Sequence, residues 1–345
     1  MQPTLLIGLG GTGIHVATLI HANLLKDAGV GDMIDGTIQV LCIDTDTRFV
    51  QDQNLGLPTE FVQNIGFHAL PFLEQACRDD ENLQKWFSCA CWQRGALQLS
   101  HPDLQLGAKV IRQLGRLCLY HDLAAGIYSK TRRRIHDALQ IIQQRTAIRP
   151  LVIVCASLIG GTGSAMALDI AYLVRHILST MNYSAHIVGV FALSNVFSAA
   201  ILSSEYRIRS ILNQVAAMKE IQYFARTKYE FGPDGNVITY NNLEPFNSYW
   251  LFGGDEAARL ECQWPRDYFP LIAAEIFDAI LSSDWMIPPQ RLKYVKVQAP
   301  LATNTIGDWS LWERVYEGES KDPYRLSPHI SREFDRYWTR GSAIR

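Results

Sequence analysis

Several features that would classify a protein at once are missing from this chain. No run of about eighteen apolar residues occurs in its 345 residues, so no segment is expected to span a membrane. The opening apolar run, Leu5-Leu6-Ile7, stops at Gly8 and has no basic start; it is too short and wrongly flanked for a signal peptide. Charge is almost balanced at −2, which gives no overall attraction to nucleic acid or anionic lipid. A basic run, Lys130-Thr131-Arg132-Arg133-Arg134, falls in a helical stretch and reads as a solvated face. Among the seven cysteines, Cys89 and Cys91 are separated by one residue, with no second pair at zinc-ligand spacing. An odd count without a framework points to a reducing compartment, and a cytoplasmic protein is expected. Neither an internal repeat nor a low-complexity segment is visible.

What is present is an ordinary packed chain, 48% hydrophobic and 19% charged. Leu5 to Gly8 reads as a buried strand, followed by helix-period apolar positions from Ile14 to Lys26. Ile38 to Ile43 is a second buried strand ending at Asp44. Strand, glycine turn, helix and strand in that order open a parallel α/β sheet. An amphipathic helix is expected around Ala69 to Arg78, and one or two more between Gly107 and Gln144. Leu151 to Ala156 is the most apolar strand, with a helix from Ala165 to Leu178 and a strand from His186 to Leu193. A long helix over Ser203 to Arg226 leads to a hairpin, Tyr229 to Tyr240, turning at Pro233-Asp234-Gly235. A short strand at Tyr249 to Phe252 and a helix at Tyr268 to Leu281 complete the pattern. The expected fold is α/β, a Rossmann-like, mainly parallel sheet with helices on both faces.

Two glycine loops carry the chemistry. Gly8-Leu9-Gly10-Gly11-Thr12-Gly13 lies between strand and helix, where glycines let a phosphate approach the backbone and helix N–H groups favour an anion. Gly160-Gly161-Thr162-Gly163-Ser164 repeats the arrangement after another buried strand. A dinucleotide fold needs one such loop; a nucleotide cradled from two sides needs two. Neither loop ends in Gly-Lys-Ser/Thr, so no P-loop lysine serves the phosphates. Their charge is left to backbone dipoles and a cation, expected to be Mg²⁺.

These motifs resemble the tubulin and FtsZ superfamily. Ile7 to Gly13 looks like its first nucleotide loop. Ile43-Asp44-Thr45-Asp46-Thr47 is similar to its second, in which Asn-Thr-Asp ends the next strand. Gly160 to Ser164 resembles the GGTGS heart of its phosphate loop. Gly107-Ala108 with Arg112-Gln113-Leu114-Gly115-Arg116 resembles the third loop of the divergent bacterial tubulin-like proteins. The resemblance implies GTP as ligand, with Arg112 or Arg116 reaching the γ-phosphate. It also implies ribose and base contacts from Glu205 and Arg209, which an i,i+4 spacing puts on one helix face with Asn213 a turn further. Asp267-Tyr268-Phe269 resembles the start of the central helix, where a ring stacks on the base. The guanine-reading asparagine expected one turn later is replaced by Ile272 or Ala273.

The resemblance covers roughly residues 1–285, taken as one nucleotide-binding domain. Its acidic loop motif after the central helix is absent, and Asp284 is the best candidate for the hydrolytic acid, ahead of Asp278. Residues 286–345 read as a short extension, a reduced or missing second domain, rich in aromatics at Trp309, Trp312, Tyr316, Tyr324, Tyr337 and Trp338. The resemblance implies self-association head to tail, or a partner chain, with slow or partner-dependent GTP hydrolysis. The alternative is a Rossmann-type nicotinamide or flavin enzyme with Asp44 on a ribose. Against it, Asp44 lies 31 positions after Gly13, where about twenty is usual, and the second glycine loop has no role there.

Overall fold

The computed structural model describes residues 1–26, 34–47, 56–87, 104–105, 107–197, 204–253, 265–282 and 295–298. Nine strands are described, seven of them in one sheet: β1 (Thr4–Leu9), β2 (Ile38–Asp44), β3 (Val62–Asn64), β4 (Leu151–Ser157), β5 (His186–Ala192), β8 (Ser248–Phe252) and β9 (Val295–Gln298). Their order across the sheet is β3-β2-β1-β4-β5-β8-β9. All neighbours are parallel except β9, which runs antiparallel to β8. β6 (Lys228–Phe231) and β7 (Ile238–Asn241) form the expected hairpin as a separate two-stranded sheet. β9 lies within the stretch read as an extension and completes the main sheet's edge.

Seven longer helices surround these strands: α1 (Gly10–Lys26), α2 (Ala69–Asp79), α3 (Arg112–Ala124), α4 (Lys130–Arg145), α5 (Gly163–Thr180), α6 (Ser204–Arg226) and α7 (Pro265–Leu281). Strand side chains alternate between two cores, as a period of two requires. Leu5, Ile7, Val152, Val154 and Phe191 pack with α3, α4, α5 and α6 on one face. On the other, Leu6, Cys42, Ile153, Cys155, Val188 and Trp250 pack with α1 and α7. Cover on both faces is why these strands read as unbroken apolar runs rather than as alternating ones. Among the described residues no helix is long and apolar enough to cross a membrane.

α6 shows how a polar sequence still yields a buried face. Ser210, Gln214, Ala217, Met218, Ile221 and Ala225 recur at helical spacing and are buried. The Gln214 Oε1 accepts from Ser194 N (2.6 Å), so the larger polar residue on that face has a partner. In the basic run on α4, Lys130 and Arg133 are exposed, but Thr131 is buried and accepts from Gln63 Nε2 (2.9 Å). Cys42, Cys118 and Cys155 are free and buried. Cys77 on α2 is disulfide-bonded.

Two glycines of the first loop exist for packing. A Cβ on Gly8 would lie 2.5 Å from Gly13 O, and one on Gly13 would collide with Cys155 O and, at 2.7 Å, with Gly8 C. α1 therefore presses directly on β1 and β4. Gly13→Ala is expected to destabilise the domain by about 1–3 kcal/mol or more, by overpacking against rigid backbone. Urea denaturation checks this; an unchanged midpoint with an unchanged slope would show that α1 can retreat without cost.

Candidate functional site

The chain leaves β1 outward to β2 and β3, then returns to place β4 on the other side of β1. That reversal makes the carboxyl ends of β1 and β4 the switch point of the sheet, the place where open α/β sheets bind ligands. Both glycine loops begin there, since Leu9 pairs with Ala156 in register. Gly10, at φ +67°, turns the chain into α1. A Cβ on it would sit 3.3 Å from Gly163 N and 3.4 Å from Thr162 Cβ, and one on Gly163 would sit 3.0 Å from Leu9 O. The two loops are in van der Waals contact.

Hydroxyl groups knot these loops to two others. Thr45 Oγ1 accepts from Ala108 N (2.9 Å) and lies 2.9 Å from Thr162 Oγ1, which in turn donates to Asp44 Oδ1 (3.4 Å). Asp44 Oδ1 also accepts from Thr45 N (2.6 Å) and Asp46 N (3.3 Å). Gly107, at φ +88°, brings the third loop against Asp46, 3.2 Å from its Cβ to a Cβ placed on the glycine. Asp44, Thr45 and Thr162 are all buried. Burial pushes the Asp44 carboxyl up to about 6, although the Thr45 and Asp46 N–H groups oppose the shift.

The phosphate-type loop divides its glycines between tasks. Gly161 donates its N–H to Lys109 O (2.6 Å), and a Cβ there would strike Ala108 O at 2.6 Å and Lys109 O at 2.7 Å. Gly115 on α3 abuts Gly161 O so closely that any side chain would collide. Gly161 is thus a packing residue whose N–H is already committed. At Gly160 a Cβ would meet only Ser157 Oγ, at 3.7 Å. Ser164 Oγ folds back onto Gly160 O.

The helix dipoles at this switch point favour an anion. α1, α3 and α5 all begin here, and none has an acidic residue in its first turn. Thr162, the N-cap of α5, turns its hydroxyl to Asp44 and Thr45 and makes no capping bond; Ile111 before α3 has no capping hydroxyl to offer. First-turn N–H groups lack intrahelical acceptors, and the dipole adds partial positive charge to them. Of the remaining positions, Gly11 and Thr12 lie in the first turn of α1, half-buried.

The expected ribose and base contacts are placed unevenly. Arg209 is exposed on α6, while Asn213 spends both amide N–H bonds on Val110 O (2.9 Å) and Ile159 O (2.8 Å), tying the third loop to the second glycine loop. The side chain of Glu205, and all of Asp284, lie outside the described residues. Tyr268 corrects the sequence reading: it is fully buried in the core beneath α1 and α7, so its ring has no free face for a base. Phe269 is buried in the same core but retains slight exposure, with ring centroids 5.8 Å from His15 and 6.1 Å from Phe197.

Both arginines of the third-loop motif, one of which is expected to reach the γ-phosphate, are paired with acids within the chain. Arg112 is held by Glu220, and Arg116 forms two bonds to Asp169 (2.8 and 2.9 Å) between the rings of Trp86 and Phe231. Sequence reasoning missed both acidic partners. Asp169 had a signal, as a lone acid within the apolar helical run; Glu220 had none.

The profile of a family described as tubulin like matches residues 5–314. Among solved structures, CetZ from Methanosaeta thermophila strain DSM 6194 is 13% identical, with 82% of this chain and 55% of that chain covered and a TM-score of 0.45. A GTPgS-bound protofilament of CetZ2 from Haloferax volcanii is 14% identical, with 80% and 57% covered and a TM-score of 0.44. An empty FtsZ dimer from M. jannaschii is 12% identical, with 81% and 55% covered and a TM-score of 0.45. The chain thus spans less than two thirds of the length of each. No curated protein matches it.

Asp44 offers a test of the knot. Its folded-state value of about 6 lies above the ordinary 3.8, so the native state holds this proton more tightly. The linked stability is fully present below about pH 4 and lost as pH rises through about 6. Asp44→Asn keeps an acceptor for Thr45 N and cannot ionise. Thermal melts should show it more stable than wild type at pH 7.5, by up to about 3 kcal/mol, and equal near pH 4. Equal melting at both pH values would mean the carboxyl is solvated.

Proposed function

The chain belongs to the tubulin-like family, and we propose that it is a cytoplasmic GTP-binding protein that assembles head to tail with its own kind or with a partner chain. The observation that carries this reading is the meeting of three helix N-termini, α1, α3 and α5, at the switch point between β1 and β4. Phosphates there are bound by backbone N–H groups of α1 and α5, near Gly10, Gly11, Thr12, Gly163 and Ser164. The Gly107-Ala108 loop closes the third side. Among the described residues no cluster of His, Cys, Asp or Glu could hold a metal unaided. A magnesium ion in this reading arrives with the phosphates, and its positive charge offsets theirs. The ribose and base extend toward Phe269 and the N-terminal part of α6, with Glu205 and Arg209. Guanine rather than adenine rests on kinship alone. A nicotinamide or flavin enzyme finds no support in the family match.

A thermal-shift series separates the readings, because a ligand of the native state raises the midpoint. GTP with Mg²⁺ at a hundred times its Kd should add about 2.7 kcal/mol, while NAD should add nothing. A shift with NAD and none with GTP would reverse the assignment.

Hydrolysis in this reading is completed across a subunit contact, with Asp284 as the acid that positions water. Phosphate release per chain should then climb steeply with protein concentration, alongside light scattering. Asp284→Ala should bind GTP normally and hydrolyse it poorly. Rapid turnover by a dilute monomer, unaffected by that substitution, would place the whole site in one chain.

A further inference from the structure

The two arginines of the third-loop motif are held very differently. Arg116 is locked: its partner Asp169 is 1% exposed, also accepts from Tyr229 Oη (2.7 Å), and the guanidinium lies between two aromatic rings. Arg112 opens α3 directly beside the second glycine loop, where its Nη2 donates to Ser164 O (3.0 Å). Its other bonds go to a single carboxylate, Nη1 to Glu220 Oε1 (2.9 Å) and Nη2 to Glu220 Oε2 (2.5 Å). Glu220 comes from α6, and its side chain is a third exposed. The Arg112 Nε is buried and makes no hydrogen bond.

We propose that Glu220 is a competitor that holds Arg112 away from the nucleotide, and that a terminal phosphate takes the guanidinium from it. The inference rests on the nucleotide reading above. A phosphate is as good a fork partner as a carboxylate, carries more charge, and offers an oxygen to the spare Nε. Solvent access lets Glu220 accept water once Arg112 leaves, so the exchange strands no buried charge. A diphosphate that ends short of Arg112 leaves the clasp shut. Glu220 is therefore a positioning residue that tunes discrimination between tri- and diphosphate, and it reports the difference to α6.

The test measures affinities of the full chain for GTPγS and GDP by calorimetry, both with Mg²⁺. Glu220→Gln should bind GTPγS more tightly, on the order of tenfold, with GDP affinity unchanged. Arg112→Gln should erase the difference between the two nucleotides. Should Glu220→Gln misfold, Glu220→Asp, which shortens the clasp and keeps the charge, should shift the ratio in the same direction. An unchanged GTPγS to GDP ratio in a folded Glu220 variant would overturn this inference and leave nucleotide binding standing. If wild-type protein binds neither nucleotide, the functional reading falls and takes this one with it.

Discussion

The close approach of two backbone loops at the carboxyl ends of β1 and β4 is the constraint on which the rest of the structure depends. β1 and β4 pair in register along their length, which brings Leu9 beside Ala156 and forces the loops that follow into the same space. Side chains cannot share that space. Gly10, Gly13 and Gly163 each meet backbone or Cβ atoms at contact distance or closer, so the absence of a side chain is what permits the sheet to close here. α1 and α5 then start side by side, each with first-turn N–H groups toward the switch point. The paired helix N-termini are a by-product of the same packing that holds the two central strands together.

Positive potential at such a site has to be balanced against the cost of burying charge. The fold does so by using dipoles where it can and pairing ions where it cannot. Arg116 and Asp169 neutralise each other in the core between α3 and α5, with the Tyr229 hydroxyl satisfying a further carboxylate lone pair. Asp44 is tied by one hydroxyl and two amide N–H groups, which only partly offset the rise in proton affinity that burial imposes. The hydroxyl chain from Thr45 through Thr162 to Asp44 links the ends of β2 and β4, so neither loop can shift without breaking buried hydrogen bonds. Arg112 is the looser piece, clasped by a carboxylate that still reaches solvent.

Much of the fold was legible because both faces of the sheet are covered. Strands such as Leu151–Ser157 then stand out as continuous apolar runs, and helix-period stretches fall between them. The hairpin was legible from Pro233-Asp234-Gly235, where Asn236 N closes the turn on Pro233 O (2.9 Å). β3 and β9 were not, being three- and four-residue edge strands whose identity comes from a neighbour rather than from composition. At the candidate site, the strand-end positions of Asp44, Thr45 and the glycines were legible, since a turn against a close backbone admits few other residues.

The sequence by itself determined the alternation of strand and helix, the two glycine loops, and the place of each loop at a strand's end, because local periodicity and backbone freedom are written residue by residue. Tertiary structure alone decided what each loop residue does. Gly161 looked like a phosphate ligand and became a spacer, because the third loop, some fifty residues earlier, lies across it. Tyr268 looked like a base-stacking ring and went into the core, because the packing of α7 on α1 sets which side of the helix faces inward. Arg112 and Arg116 are alike in sequence and differ only in which distant acid they meet, Glu220 or Asp169. Contacts between residues fifty or more positions apart leave no local pattern, and those contacts set which loop residues are packed in place.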